Sequence, residues 1–258
     1  MDLSVITVTW NNISTIGEQL NSTAQAADGL EFEQIVVDNN SSDNTASFIE
    51  NNFKNVVLFK NKINAGFSKA NNSAVKNAKG DYFLFLNPDM KLMAHSLKPM
   101  IEYLKNNHNV GVLSPRLTNE NGNTAFGDGP RRFPKILEIL VIFFKLPKLF
   151  PNLLNRYFYK DLNVQKIQTV ESVRGAFMLV PKKVIESLGH AFDERYFCWF
   201  EDVDFCQEIK KMGKDVVYYP LFSATDLVGR SFKNRNIFWK QAIFFGSALK
   251  YFLKWRTN

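Results

Sequence analysis

Over its first 115 residues the chain alternates short β-branched runs with polar amphipathic stretches, a pattern that few folds accommodate. Strands are predicted at Leu3–Thr9, Phe32–Asp38, Val56–Lys60, 81–86 and 110–114. Helices are predicted over 14–27, 43–53, 66–79 and 94–106. Strand, helix, strand in that order describes βαβ crossovers, so the expected class is α/β, with a Rossmann-like, mostly parallel central sheet and flanking helices. Asn119-Glu120-Asn121-Gly122 reads as a hairpin turn, since Asn-Gly supplies positive φ.

The pattern breaks at 133–158, a basic, aliphatic and aromatic stretch, and then resumes. A strand at 173–180, a short helix with Pro181 at its first position, a helix at 202–212 stopped by Gly213 and a strand at 215–219 follow. We therefore expect one catalytic-type domain over 1–231, with halves 1–115 and 116–231, and a helical extension at 232–258. No repeat or linker interrupts it.

Composition removes several classes. With 45% hydrophobic and 22% charged residues, the chain is too apolar to remain disordered. Its longest apolar run, 139–144, is far short of the roughly 20 residues that cross a bilayer. No basic segment precedes an apolar one at Met1-Asp2-Leu3, so no secretory leader is expected. Two cysteines, Cys198 and Cys206, make no disulfide framework, which favours a reducing cytoplasm.

The net charge of +7 is unevenly spread: residues 1–130 carry 10 Lys/Arg and 13 Asp/Glu, residues 131–258 carry 22 and 12. The basic half points to phosphate in some form, on a nucleic acid, an anionic lipid surface or a small molecule. Its cations are interleaved with bulky aliphatics and no nucleic-acid motif appears, so nucleic acid is set aside. The segment 232–256 has no acid; Lys233, Lys240 and Lys254 lie in sevens, as do Phe238, Phe245 and Phe252, on nearly opposite helix faces. Two readings stand: an amphipathic helix on an anionic membrane, or a terminal helix packing its phenylalanine row on the core.

Polar residues gather where strands end, which is where open α/β sheets bind ligands. Asp38-Asn39-Asn40-Ser41-Ser42-Asp43 holds more than a helix cap needs, and Asp38 could accept the imide N–H of a pyrimidine. Asn87-Pro88-Asp89 is either a plain turn or a carboxylate placed for a divalent cation shared with phosphate oxygens. From Phe192 to Asp204 five carboxylates sit among aromatics before or within a helix start. Helix capping explains one or two; desolvation by Tyr196, Trp199 and Phe200 would raise a carboxyl toward general-base range. No dinucleotide or Walker glycine loop follows the first strand, and the three histidines have no metal-ligand spacing.

In order, Val8-Thr9-Trp10-Asn11, Val36 to Asp43, Asn64-Ala65-Gly66-Phe67 with Asn71, Leu86 to Asp89, Gly175-Ala176-Phe177-Met178 and Phe192 to Asp204 resemble the family 2 glycosyltransferases of GT-A fold, in their bacterial rhamnosyltransferase-like branch. The resemblance implies an inverting transferase. Asp38 and Asn40 would serve the nucleobase turn, with Thr9, Trp10 and Asn11 lining the nucleotide site. Asn64, Gly66 and Asn71 would form the donor-side loop and helix. Asn87 and Asp89 occupy the place of the family's D-x-D, so Asp89 would hold Mg²⁺ or Mn²⁺. Asp202 would be the general base, Glu201 and Asp204 would support the helix opening or the acceptor pocket, and Gly175, Ala176 and Trp199 would lie with them on the acceptor side. Where members often show histidine, then glycine and serine, this chain has Asp226, Gly229 and Ser231, so Asp226 becomes a second metal candidate.

The implied donor is a dTDP- or UDP-sugar, first rhamnose, and the acceptor a saccharide, expected in lipid-linked form, for cell-surface polysaccharide such as O-antigen. Contact with an anionic membrane from the cytoplasmic side follows from the basic half, with 133–158 and the last helix as contact segments. The rival reading is a catalytically silent nucleotide-sugar-binding or membrane-associated scaffold. The presence of both Asp89 and Asp202 weighs against it.

Overall fold

The computed structural model of the chain describes residues 1–124, 129–227 and 236–256. The first half follows the predicted alternation: β1 (Leu3–Thr9), α1 (Ile16–Ala26), β2 (Phe32–Asp38), α2 (Thr45–Asn52), β3 (Val56–Lys60), α3 (Phe67–Val75) and β4 (Tyr82–Leu86). Then come β5 (Met90–Leu92), α4 (Leu97–Asn106) and a long β6 (Val110–Asn119). The stretch that breaks the alternation folds as two short helices, α5 (Ile136–Phe143) and α6 (Pro151–Tyr157). The chain closes with β7 (Gln168–Val170), β8 (Phe177–Pro181), α7 (Lys182–Leu188), α8 (Glu201–Lys211), β9 (Asp215–Asp226) and α9 (Ile237–Lys254).

All nine strands form one sheet in the order β3-β2-β1-β4-β8-β6-β9-β5, with β7 on β9. Strands β1 to β4 pair in parallel, as expected. Beyond β4 the sheet is mixed: β8 runs antiparallel to β4 and β6, and β9 is parallel to β6 but antiparallel to β5 and β7. The 115/116 boundary between the expected halves lies inside β6, at the register shift between Pro115 and Arg116.

Both faces of the sheet are covered. Leu84 and Leu86 enter one buried cluster while Phe83 and Phe85 enter the other, the period-two alternation of a central strand. A third cluster joins Ile139, Tyr157, Tyr196, Phe200, Val203, Ala248 and Tyr251, so α5, α6, α8 and α9 share a core of their own. Pro181 ends β8 and caps α7 instead of opening it. The turn at Gly122 forms, with φ of +74°, but residues 125–128 lie outside the described ones.

Helix α9 departs from the expectation that its phenylalanine row packs on the core. Phe238 and Phe245 are exposed and Phe252 is only partly buried, while Phe244, Ser247, Ala248 and Tyr251 face the protein. Lys254, expected on a solvent or lipid face, is sunk among three carboxylates. Lys233 lies outside the described residues.

Candidate active site

The C-terminal ends of β1 and β2 lie side by side, Thr9 opposite Asp38. Their two turns interlock. Asn39 N–H donates to the Thr9 carbonyl (2.8 Å), Asn11 N–H to the Ser41 hydroxyl (2.9 Å), Ser42 N–H to Asn11 Oδ1 (2.7 Å) and Ile13 N–H to Asp43 Oδ2 (3.1 Å). Asn11 and Asn40 take left-handed φ values of 59° and 63°, which asparagine tolerates better than most residues. Asp38 Oδ2 accepts the Ser41 N–H at 2.9 Å, whereas its Oδ1 is buried with no hydrogen-bond partner. Such an atom is costly unless a ligand donor reaches it.

Beside these turns opens a cavity of about 530 Å³. From the first half Thr9, Trp10, Asn64, Gly66 and Asn87 line it. Gly66 has φ of +85°, and a Cβ there would stand 2.6 Å from the Phe197 carbonyl, so only glycine allows this approach. Asn64 Oδ1 accepts the Gly66 N–H (2.9 Å), and Phe67 N–H donates to the Phe197 carbonyl (2.7 Å). The donor-side loop is thereby tied to the 193–200 segment.

Asp89 and Asp226 face the same cavity. They are brought together by β5 on β9, with Met90 opposite Asp226 and Leu227 N–H donating to the Asp89 carbonyl at 2.8 Å. Burial, and then the charge of Asp226, push the Asp89 carboxyl up to about 6. Arg174 Nη1 stands 3.7 Å from Asp226 Oδ2. Two adjacent carboxylates that resist sharing negative charge suit a hard divalent cation. Among the described residues no group of three or more His, Cys, Asp or Glu could hold a metal, so the donor phosphates and water would complete the shell.

Asp202 also lines the cavity, one residue into α8. Both carboxylate oxygens are oriented: Oδ2 accepts the Gly175 N–H (3.0 Å) and Oδ1 the Val203 N–H (2.8 Å). Gly175 is small for this purpose, since an added Cβ would lie 3.3 Å from Asp202 Cβ. Glu201 is buried beside it; desolvation, then the Asp202 charge, push its carboxyl up to about 8. Its Oε2 has no hydrogen-bond partner. Two bulky residues, Trp199 and Phe200, precede α8 with φ of 65° and 69°. Left-handed aromatic backbone costs about 1–3 kcal/mol per residue and persists only where the surroundings fix it. Here Trp199 and Phe200 pack on Phe244 of α9, at centroid distances of 6.0 and 5.4 Å.

The remaining expectations divide. Gly175, Ala176, Trp199 and Glu201 line the cavity, as Asp202 does. Asn11, Asp38 and Asn40 lie in the turns behind it. Asn71 is not a lining residue: it is buried in α3 and donates to the Phe67 carbonyl (2.9 Å). Asp204 is corrected from the acceptor side to the protein interior, where Lys254, Trp255 and Tyr196 surround it. Arg131 and Arg174 line the cavity and were not singled out from sequence. Their signal was two arginines in the basic half, one directly before Gly175, but nothing separated them from the surface cations around them. The aromatic and aliphatic wall of Ile139, Ile142, Tyr157, Phe158 and Phe244 likewise comes from segments with no motif.

A family profile described as glycosyl transferase family 2 matches residues 4–189, and the chain belongs to that family. Its sheet and flanking helices are those of the GT-A glycosyltransferases. Among curated relatives, rhamnosyltransferase WbbL of Escherichia coli (strain K12) is 27% identical over 190 residues, which is 67% of this chain and 66% of that protein. Poly(ribitol-phosphate) beta-N-acetylglucosaminyltransferase TarS of Staphylococcus aureus (strain Mu50 / ATCC 700699) is 34% identical over 126 residues, 47% of this chain and 22% of its own length. The chain thus spans just under two thirds of the first relative and about a fifth of the second. Among solved structures, S. aureus TarS 1-349 in complex with UDP superposes with a TM-score of 0.61 at 22% identity, covering 87% of this chain and 60% of that one. GalNAc-T7 with UDP, GalNAc and Mn2+ gives 0.65 at 15% identity, covering 91% and 45%. At such identities these likenesses speak for the fold. Helix α8, with Asp202, lies beyond the matched residues.

Proposed function

We propose that the protein is an inverting glycosyltransferase that moves a sugar from a nucleoside diphosphate to a hydroxyl of a saccharide acceptor. One observation carries the reading: a single cavity is lined by both the Asp89–Asp226 pair and the anchored Asp202 carboxylate. Asp202 takes the proton of the acceptor hydroxyl. The acceptor oxygen then bonds to the anomeric carbon as the bond to the diphosphate oxygen breaks, a single displacement that inverts the centre. Asp89 and Asp226 would hold Mg²⁺ or Mn²⁺ against the diphosphate, and the cation would supply Lewis-acid stabilisation of the leaving group. Asp38 Oδ1 receives a pyrimidine N–H, Thr9 to Asn11 and Asn40 shape that turn, and Asn64, Gly66 and Asn87 border the donor.

A dTDP- or UDP-sugar is the donor, with rhamnose first because WbbL, by its name, transfers it. TarS structures with UDP and with UDP-GlcNAc, proteins of the same fold, support a pyrimidine diphosphate. The acceptor we propose is a lipid-linked saccharide for a cell-surface polymer such as O-antigen, met by the protein from the cytoplasmic side of an anionic membrane. No helix among the described residues is long and apolar enough to cross that membrane. Twelve of the twenty exposed large apolar side chains among the described residues lie in 136–150 and 237–253. Residues 131–160 hold seven Lys/Arg and one acid, the buried Glu138, which pairs with Arg156 at 2.6 Å. An apolar surface from segments rich in cations suits an anionic bilayer. We read 1–231 as the catalytic domain, with donor and acceptor halves that share one sheet, and 232–258 as its helical extension.

Calorimetric titration with UDP and dTDP, in Mn²⁺ or Mg²⁺ and then EDTA, tests the donor assignment. Metal-dependent binding of one of them is expected. Binding of neither would overturn the reading and favour the silent scaffold.

A further inference from the structure

Helix α9 sits outside the matched family region and carries no motif, yet it reaches both functional sides of the molecule. Seven hydrogen bonds run from Ser247, Lys250, Tyr251, Lys254 and Trp255 to the 193–208 segment. Ser247 Oγ donates to the Cys198 carbonyl (2.8 Å) and Lys250 Nζ to the Arg195 carbonyl (2.7 Å), holding the loop whose Phe197 carbonyl receives the Phe67 N–H. Lys254 Nζ lies 3.1 Å from Asp193 Oδ2, 2.6 Å from Asp204 Oδ2 and 2.7 Å from Glu208 Oε1. Trp255 Nε1 donates to the other oxygen of Asp204 at 2.7 Å, and Tyr251 hydroxyl donates to Gln207.

Asp204 is fully buried, and a carboxylate there is tolerable only with its charge met. Lys254 meets three acids at once from a separate element. Two turns of α8 are thereby pinned to α9, and the first of these turns, Glu201 to Asp204, contains Asp202. Phe244 of the same helix fills the cavity wall against Trp199 and Phe200, whose left-handed backbone directs the chain into α8.

We propose that Lys254 is a positioning residue for the transfer reaction: by clamping Asp193, Asp204 and Glu208 it sets where α8 presents Asp202 relative to the donor side, so the C-terminal helix is part of the catalytic unit. The proposal rests on the assignment of Asp202 above. Its functional content is that the clamp governs turnover more than donor affinity, because the three partners of Lys254 are Asp193, Asp204 and Glu208, none of which belongs to the β1 and β2 turns of the nucleotide site.

The experiment compares kcat and donor KM for wild type, Lys254→Met and Lys254→Arg, with circular dichroism and UDP or dTDP binding as controls. Lys254→Met is expected to lower kcat about 10- to 100-fold while leaving donor KM and nucleotide affinity within about twofold, since a shift of order 1 Å at a reacting group has that effect. Lys254→Arg, which keeps the charge, should recover most of kcat. Ser247→Ala, a milder cut of the same strut, should lower kcat by about threefold with the fold intact, and it decides the matter if Lys254→Met does not fold. Folded Lys254→Met with wild-type kcat, or a loss shared equally by kcat and nucleotide affinity, would overturn the clamp. Absence of transfer by the wild-type protein with either donor class would instead remove the assignment beneath it.

Discussion

Asp202 and Asp204 are two residues apart on one helix and live in opposite environments. About 200° of rotation separates them, so one looks into the cavity and the other into the α8–α9 core. On the core side, burial raises the Asp204 carboxyl and the hydrogen bond from Lys254 pulls it back. Burial would also raise Asp193, but hydrogen bonds from Arg195 and Lys254 hold it well below the ordinary carboxylate range. On the cavity side Arg131 offsets only part of the effect on Glu201, and burial with the Asp202 charge still pushes its carboxyl up to about 8. Nearly the same chemical groups thus become structure where a hydrogen-bonded lysine neutralises them and reactive potential where burial outweighs the arginine nearby.

The largest test of that contrast is Asp202→Asn. If the cavity side performs chemistry, kcat falls by about 10³-fold, roughly 4 kcal/mol of barrier, while nucleotide affinity and melting temperature barely move. Steady-state kinetics beside calorimetry read this directly, and retained turnover would end the distinction. Asp204→Ala is the converse. It removes the most buried of the three acids around Lys254 and the acceptor of Trp255 Nε1, and should cost about 3 kcal/mol of stability, a fall in melting temperature of roughly 6–12 °C. An unchanged melting temperature would show that the core-side acids are not a structural set.

Smaller, and specific to the cavity side, is a pH effect. Glu201 holds its proton up to about pH 8 in the fold against 4.5 for the ordinary group, so the folded state binds more protons across that window. Stability contributed by the protonated form is therefore present at low pH and lost as pH rises toward 8; Asp89, raised to about 6, acts in the same direction over a narrower range. Thermal melts from pH 5 to 8.5 should show a decline that Glu201→Gln reduces by a few degrees. A decline of equal size in the variant would assign the effect elsewhere.

The two sides also differ in how far they could be read from sequence. Strands β1, β2 and β3 match their predicted spans, because their hydrophobic runs are bounded by turn residues whose conformations are local. Gly66 and Gly175 were recognisable as small residues at a site, although the reason for Gly175 is the approach of Asp202 from 27 residues away. The cluster from Phe192 to Asp204 read as one acidic patch because a linear pattern does not say which partner each helix face meets. Lys254 was equally opaque: its three partners lie 46 to 61 residues away, and heptad spacing placed it with Lys240 on a free face. Arg131 and Arg174 enter the cavity through strand-like pairing and loop geometry that no short motif encodes.

That distinction extends to α9, whose two sides make the smallest prediction. Its inner side is fixed by Ser247, Tyr251 and Lys254; its outer side exposes Phe238, Phe245, Leu249 and Leu253. Replacing Phe245, Leu249 and Leu253 with serine removes apolar surface without touching the clamp. Co-sedimentation with vesicles containing anionic lipid should then drop by about three- to tenfold, while soluble-acceptor turnover and melting temperature stay near wild type. Raising salt should weaken the wild-type interaction further, because the surrounding lysines act through a screened field. Equal sedimentation of variant and wild type would mean that the outer side is not the membrane contact. Loss of turnover on a soluble acceptor would mean that the outer side, like the inner one, belongs to the catalytic scaffold, and the contrast within α9 would collapse.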